Sequence, residues 1–278
     1  MAELRRVGLI VPSSNTTIET EIPRMLRRTP LGTEFTFHSS RAVLQEVDAG
    51  SLDRMVADSD RCARELGDAP LDVVVYACLV AVMARGHGAH EQIEGRLREV
   101  LEQKGSRAPV TSSAGALVRT LQGLRAQRVA IITPYVPALT DLVRQYLQGY
   151  GVEVVDSVSL SVADNVEVGR LDPMDLCSHA ERLRMAGADV LIASACVQMP
   201  SLEAVEALED RFGVPIVTAA TATTAEILDT LGLARRVPHA GSLLWAAGDE
   251  PGGADPTGAL GRRPPVQPAS TARLPPVY

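Results

Sequence analysis

The chain predicts an α/β fold of two pseudo-symmetric halves, each a mainly parallel sheet flanked by helices, with an active site in the cleft between them. Three observations carry this. Short apolar runs of strand character alternate with amphipathic helical stretches. The whole alternation is written twice along the 278 residues. A cysteine ends the corresponding strand in each copy, at Cys78 and Cys196.

The first strand, Arg6–Pro12 (RVGLIVP), reappears as Arg128–Pro134 (RVAIITP). Both end in a proline, which cannot continue a ladder and turns the chain into a loop. A helix is predicted after each, over Thr16–Arg27 and Pro137–Gln148, then a second strand, Thr33–His38 and Val152–Val158. Amphipathic helices follow at Ser51–Leu66 and Pro173–Ala186. They lead into the cysteine strands, Leu71–Cys78 and Ala188–Cys196. A further helix and a last short strand close each copy, Ala108–Thr111 and Val214–Thr218. The offset between copies is 122 residues at the first strand (6 to 128), 118 at the cysteines (78 to 196) and 106 at the last strand (108 to 214). Such drift fits loops of different length in two copies of one unit. Parallel strands joined by helices place their carboxyl ends on one side, where ligands of open α/β sheets bind.

We divide the chain into an N-terminal half over 1–120, which takes back part of the C-terminal segment, a second half over 121–247, and a Pro/Gly-rich tail over 248–278. The tail has no apolar period and reads as disordered. Aromatic residues make up only 3% of the chain, so Val, Ile, Leu and Ala must build the core. The net charge is −7 and the basic residues are scattered, which argues against a nucleic-acid partner. The apolar start is too short for a secretory signal and no segment is long enough to span a bilayer, so a cytoplasmic protein is expected. Its four cysteines, Cys62, Cys78, Cys177 and Cys196, are then expected to stay reduced.

Cys78 and Cys196 share a place at the end of an apolar strand where the chain turns toward a helix. Unpaired N–H groups there favour thiolate, and those around Val80 and Val197 offer donors to a carboxylate. A lone cysteine at such a place is as readily a small core residue; two at matching positions are harder to dismiss. Cys62 and Cys177 fall inside predicted helices, where packing is the default. The polar cluster Pro12–Thr17 reads as a helix cap, a role compatible with carboxylate binding through Asn15. Tyr135 and Asn165 follow strands of the second copy and can face the same cleft. His87 and His90 lack companion ligands at useful spacing, so no metal is expected, and neither Walker nor G-x-G-x-x-G pattern supports a nucleotide cofactor.

Several segments are similar to the maleate cis-trans isomerase family of the aspartate/glutamate racemase superfamily. They are VPSSNTTIETEIPRML (11–26), HSSR (38–41), YACLVAVM (76–83), ITPY (132–135), ADNVEVGRLDP (163–173), SACVQMPSL (194–202), TAATATTAEIL (218–228) and VPHAGSLL (237–244). The resemblance implies a cofactor-independent homodimer that converts maleate, a small dicarboxylate, to fumarate. It assigns Cys78 as nucleophile, Cys196 as acid/base, and Asn15, Tyr135 and Asn165 as substrate contacts. Rivals within the superfamily are an amino-acid or hydantoin racemase and an arylmalonate-type decarboxylase; the rival outside catalysis is a dicarboxylate-binding protein.

Overall fold

The computed structural model describes residues 3–30 and 32–245; the expectation of a disordered tail over 248–278 lies outside these. Two parallel four-stranded sheets follow one another along the chain. In the first, β1 (Glu3–Pro12), α1 (Ile18–Leu26), β2 (Thr33–Ala42), α2 (Ala49–Leu66) and β3 (Val73–Tyr76) lead into α3 (Leu79–Met83), α4 (Ala89–Gln103), β4 (Val110–Ser112) and α5 (Ser113–Gly123). The second comprises β5 (Arg128–Thr133), α6 (Pro137–Gly149), β6 (Glu153–Ser159), α7 (Asn165–Val168), α8 (Asp175–Ala180) and β7 (Val190–Ser194). A 3-10 turn (Leu202–Ala204), α9 (Val205–Phe212), β8 (Ile216–Thr218) and α10 (Ala219–Thr230) complete it. The strand orders, β2-β1-β3-β4 and β6-β5-β7-β8, are the same arrangement repeated, as the duplicated sequence predicts.

The central strands bury both faces. Val7, Leu9, Ile10 and Val11 of β1, and Val129 to Ile132 of β5, are fully enclosed, which is why they read as unbroken apolar runs. The last strand of each sheet hands over to its helix through the same device. Ser112 accepts a hydrogen bond from Gly115 N at 3.0 Å, and Thr218 accepts one from Thr221 N at 3.0 Å. The helices so launched, α5 and α10, pack on each other across the two halves. There Arg119 of α5 pairs with Glu94 at 3.1 Å and with Glu226 of α10 at 2.7 Å.

Three elements differ from expectation. The second strand runs on to Ala42, because β2 stays in register with β1 from Glu3↔Thr33 to Pro12↔Ala42. The helix predicted over Pro173–Ala186 shrinks to the six residues of α8. Past it, the Asp156 carboxylate takes the backbone N–H of Arg184 at 2.9 Å, so that group never joins a helical ladder. After Cys196 the chain makes a turn, where α3 follows Cys78 in the first half. Pro200 accounts for this, since it disfavours helical backbone at Met199 before it.

Gly8 sits in β1 where a side chain has no room: a Cβ there lies 2.6 Å from Leu71 Cδ1 and 3.2 Å from Val74 Cγ2. Gly8→Ala is therefore expected to lower stability by about 1–3 kcal/mol in urea denaturation, by overpacking the core. An unchanged midpoint would contradict this packing.

Candidate active site

The carboxyl ends of the two sheets meet around one narrow cavity. Its lining brings together Cys78, Leu79 and Val80 from the first cysteine turn and Cys196, Val197 and Gln198 from the second. Asn15 comes from the loop after β1, Tyr135 from the loop after β5, and Asn165 from the start of α7. All seven residues singled out from the sequence thus share a single space. Pro12, Leu44 and Val47 add an apolar wall, and loop 43–48 reaches across to the second half through an antiparallel bridge between Glu46 and Asp164.

Both sulfurs are nearly enclosed, with Cys78 4% and Cys196 6% exposed. Cys78 is the N-cap residue of α3 in extended backbone (φ −144°, ψ 96°), so that Ala81 N–H points back at its sulfur. Cys196 receives Gln198 N–H at 3.4 Å and stands beside the Tyr135 hydroxyl. These donors favour thiolate, as expected of such turns, but burial outweighs them. Desolvation pushes the Cys78 thiol up to about 12, and the nearby Cys196 adds to the rise. The Cys196 thiol is raised as well, again by burial, with the Tyr135 hydroxyl and two backbone N–H groups opposing it. At both turns, then, burial opposes the helix-start donors and favours the neutral thiol.

Asn15 is wholly buried. Its Oδ1 accepts from Ile18 N at 3.1 Å, capping α1 as the polar cluster suggested, while its Nδ2 has no hydrogen-bond partner among the described residues. A single side chain thus serves the helix with its oxygen and keeps a donor in reserve at the cavity. Asn165 Nδ2 donates to Ser14 Oγ at 2.7 Å, joining the two halves beside the cavity. The Tyr135 hydroxyl donates to Ala195 O at 3.2 Å, and burial holds its phenol far above the ordinary range, a neutral donor group.

Reasoning from sequence missed the side chain of Gln198. Its Oε1 accepts from Thr16 N and Thr17 N at 3.2 and 3.4 Å, and its Nε2 donates to Ser14 O and Asn165 O at 3.2 and 2.8 Å. Leu44 and Val47 were missed too, since nothing local marks them as facing a cavity. The remaining cysteines stay out of it: Cys62 is buried on α2 and Cys177 is half-buried on α8. His90 belongs elsewhere, its Nδ1 2.7 Å from the Tyr146 hydroxyl. Among the described residues no three His, Cys, Asp or Glu side chains are grouped to hold a metal ion, and no helix is long and apolar enough to cross a membrane.

The family model for arylmalonate decarboxylase matches residues 7–244. A maleate isomerase of Geobacillus stearothermophilus is 50% identical over 248 residues, spanning 88% of this chain and 98% of the relative. One from Alcaligenes faecalis is 50% identical, over 86% and 96% of the two chains. Among solved structures, the maleate isomerase Iso of Pseudomonas putida S16, a cysteine-to-alanine variant with maleate, superimposes with a TM-score of 0.86. It is 47% identical and covers 87% of this chain and 98% of its own. The Nocardia farcinica maleate cis-trans isomerase, a cysteine-to-serine variant with a covalently bound succinylcysteine intermediate, gives a TM-score of 0.85 at 47% identity, over 87% and 98% of the chains. Arylmalonate decarboxylase shares the fold, with a TM-score of 0.70 at 22% identity over 86% of this chain and 98% of its own. With half its residues in common with these isomerases over nearly their full length, the chain belongs to the maleate isomerase family.

Proposed function

We propose that the protein isomerises maleate to fumarate without a cofactor, with Cys78 as nucleophile and Cys196 as acid/base. The observation that carries this is the convergence of two strand-end thiols, one from each half, with the unpartnered Asn15 donor around one narrow cavity. Maleate offers an electron-poor alkene between two carboxylates. Cys78 first releases its proton to solvent, and its thiolate then forms a bond to C2. The alkene electron pair moves to C3, where it takes a proton from the Cys196 thiol. The C2–C3 bond is now single and rotates. Cys196 thiolate next removes a proton from C3, the double bond re-forms as the C2–S bond breaks, and fumarate leaves. Both thiols end as they entered the addition, so no reductant or oxidant is consumed.

Asn15 Nδ2, Tyr135 and Asn165, with the backbone around Val80 and Val197, form the polar grip on the carboxylates. Their role is to hold charge that builds up during addition, in a space dry enough to make each donor count. The arylmalonate-type alternative is not favoured, because paired cysteines fit a two-thiol reaction. The two halves, 1–120 and 121–247, act as opposing jaws of this site. On the family resemblance the enzyme works as a homodimer, and in the cytoplasm, where its thiols stay reduced; light scattering on the purified protein tests the dimer.

Incubation with maleate, followed by proton NMR, is expected to show the maleate vinyl signal replaced by that of fumarate. Cys78→Ala is expected to abolish turnover, and Cys196→Ala to lower kcat by about 10²–10⁴-fold through loss of proton transfer, while Cys62→Ser stays near wild type. Fumarate formed by Cys78→Ala would overturn the covalent route. In Cys196→Ser, intact-mass analysis with peptide mapping is expected to find a succinyl adduct on Cys78.

Because burial holds the Cys78 thiol up, its thiolate fraction without substrate grows with pH across the whole neutral and mildly alkaline range. Alkylation of Cys78 by iodoacetamide should therefore keep accelerating past pH 9. A plateau near neutrality would show a resting thiolate instead.

A further inference from the structure

Gln198 follows Cys196 by two residues and lines the cavity, yet its side-chain amide is bonded into the join between the halves. Its amide makes four hydrogen bonds. Two N–H groups at the start of α1, Thr16 and Thr17, donate to Oε1, while Nε2 donates to the carbonyls of Ser14 and Asn165. A primary amide has two N–H donors and two acceptor lone pairs, so this one is saturated and has nothing left for a substrate. Its backbone N–H, meanwhile, is directed at Cys196 Sγ at 3.4 Å. One residue thereby touches the acid/base cysteine, the segment that carries Asn15 and the backbone of Asn165.

A second observation shows that room is kept for it. Gly169, which follows α7, has an ordinary helical backbone (φ −70°, ψ −10°), so conformation does not demand glycine there. Space does: a Cβ at Gly169 lies 2.6 Å from Gln198 Nε2 and 3.2 Å from its Cδ. The single methyl of an alanine would push the amide off its partners while meeting little of the rest of the fold.

We propose that Gln198 is the positioning residue of the isomerase site. Seated against Gly169, it locks the Ser14–Thr17 loop of one half to Asn165 of the other, and so sets the spacing of the two asparagines that grip opposite carboxylates. It acts through Asn15, Asn165 and Cys196 and does not touch the substrate. The proposal rests on the isomerase reading for its kinetic consequences, and on the hydrogen-bond geometry alone for its structural ones.

The test uses Gln198→Ala, Gln198→Glu and Gly169→Ala in the full-length protein. Gln198→Ala and Gly169→Ala are expected to lower kcat/KM for maleate by about 10–100-fold, the cost of misplaced substrate contacts. Gln198→Glu supplies a distinctive readout. Its protonated carboxyl can accept from Thr16 and Thr17 and donate to one carbonyl; its ionised form sets negative charge against the carbonyls of Ser14 and Asn165. The ratio of its kcat/KM to that of wild type should therefore fall steadily as pH rises, a trend that a merely loosened fold would not produce. In parallel, Cys78 is expected to be alkylated by iodoacetamide several-fold faster in Gln198→Ala and Gly169→Ala, as the join slackens. Values of kcat/KM within about twofold of wild type in all three variants would overturn the proposal, as would a pH-independent ratio for Gln198→Glu. A wild-type protein that leaves maleate unchanged would sink the isomerase reading instead. The alkylation rates would then decide the role of Gln198 alone, faster labelling upholding the lock and equal labelling removing it.

Discussion

Strands β3 and β7 lie inside their sheets, buried on both faces, and each ends two residues before a cysteine of the cavity. Everything else about the cavity depends on that placement. A strand in this position cannot shift register without turning its apolar side chains out of the core, so the sulfur at its end is held by the packing of the entire sheet. The contact of α5 with α10 then sets the two sheets relative to each other, and thereby one sulfur relative to the other. A site assembled in this way borrows much of its rigidity from the hydrophobic core.

The same enclosure creates a tension. Taking the thiols out of water makes thiolate costly, and the N–H groups aimed at Cys78 and Cys196 recover only part of that cost. A permanently ionised cysteine would be easier to build at an open helix terminus. What the narrow cavity provides in exchange is strength: the few donors around it act at short range among buried side chains. A neutral resting thiol is also poorly reactive toward the electrophiles and oxidants a cell contains.

Much of the fold was legible because its signals are local. The repeat of RVGLIVP as RVAIITP, and of the apolar strands that end in cysteine, marks both sheets, and the prolines mark their ends. Two cysteines at matching positions of the repeat point to a shared cavity from the sequence alone. What escaped was set by contacts distant in sequence. Arg184 N–H is drawn to Asp156, 28 residues earlier, and the helix predicted over 173–186 stops short. Gln198 finds its partners at Ser14, Thr16 and Thr17, more than 180 residues away, so no periodicity could reveal it. Burial of the thiols was likewise invisible: a sequence shows the helix start that lowers a cysteine's pKa, but not the walls that raise it.

The turn that Pro200 imposes after Cys196 breaks the likeness between the halves right beside the cavity. Maleate has mirror-equivalent ends and carries no information about which carbon should be attacked. A perfectly duplicated frame would leave the two thiols interchangeable, each as ready as the other to bond or to donate. With a short helix behind one sulfur and a proline-bent turn behind the other, the proposed two-thiol reaction would find in the protein the handedness that maleate lacks. A gene duplication can in this manner give a catalyst two distinct instruments from a single ancestral part.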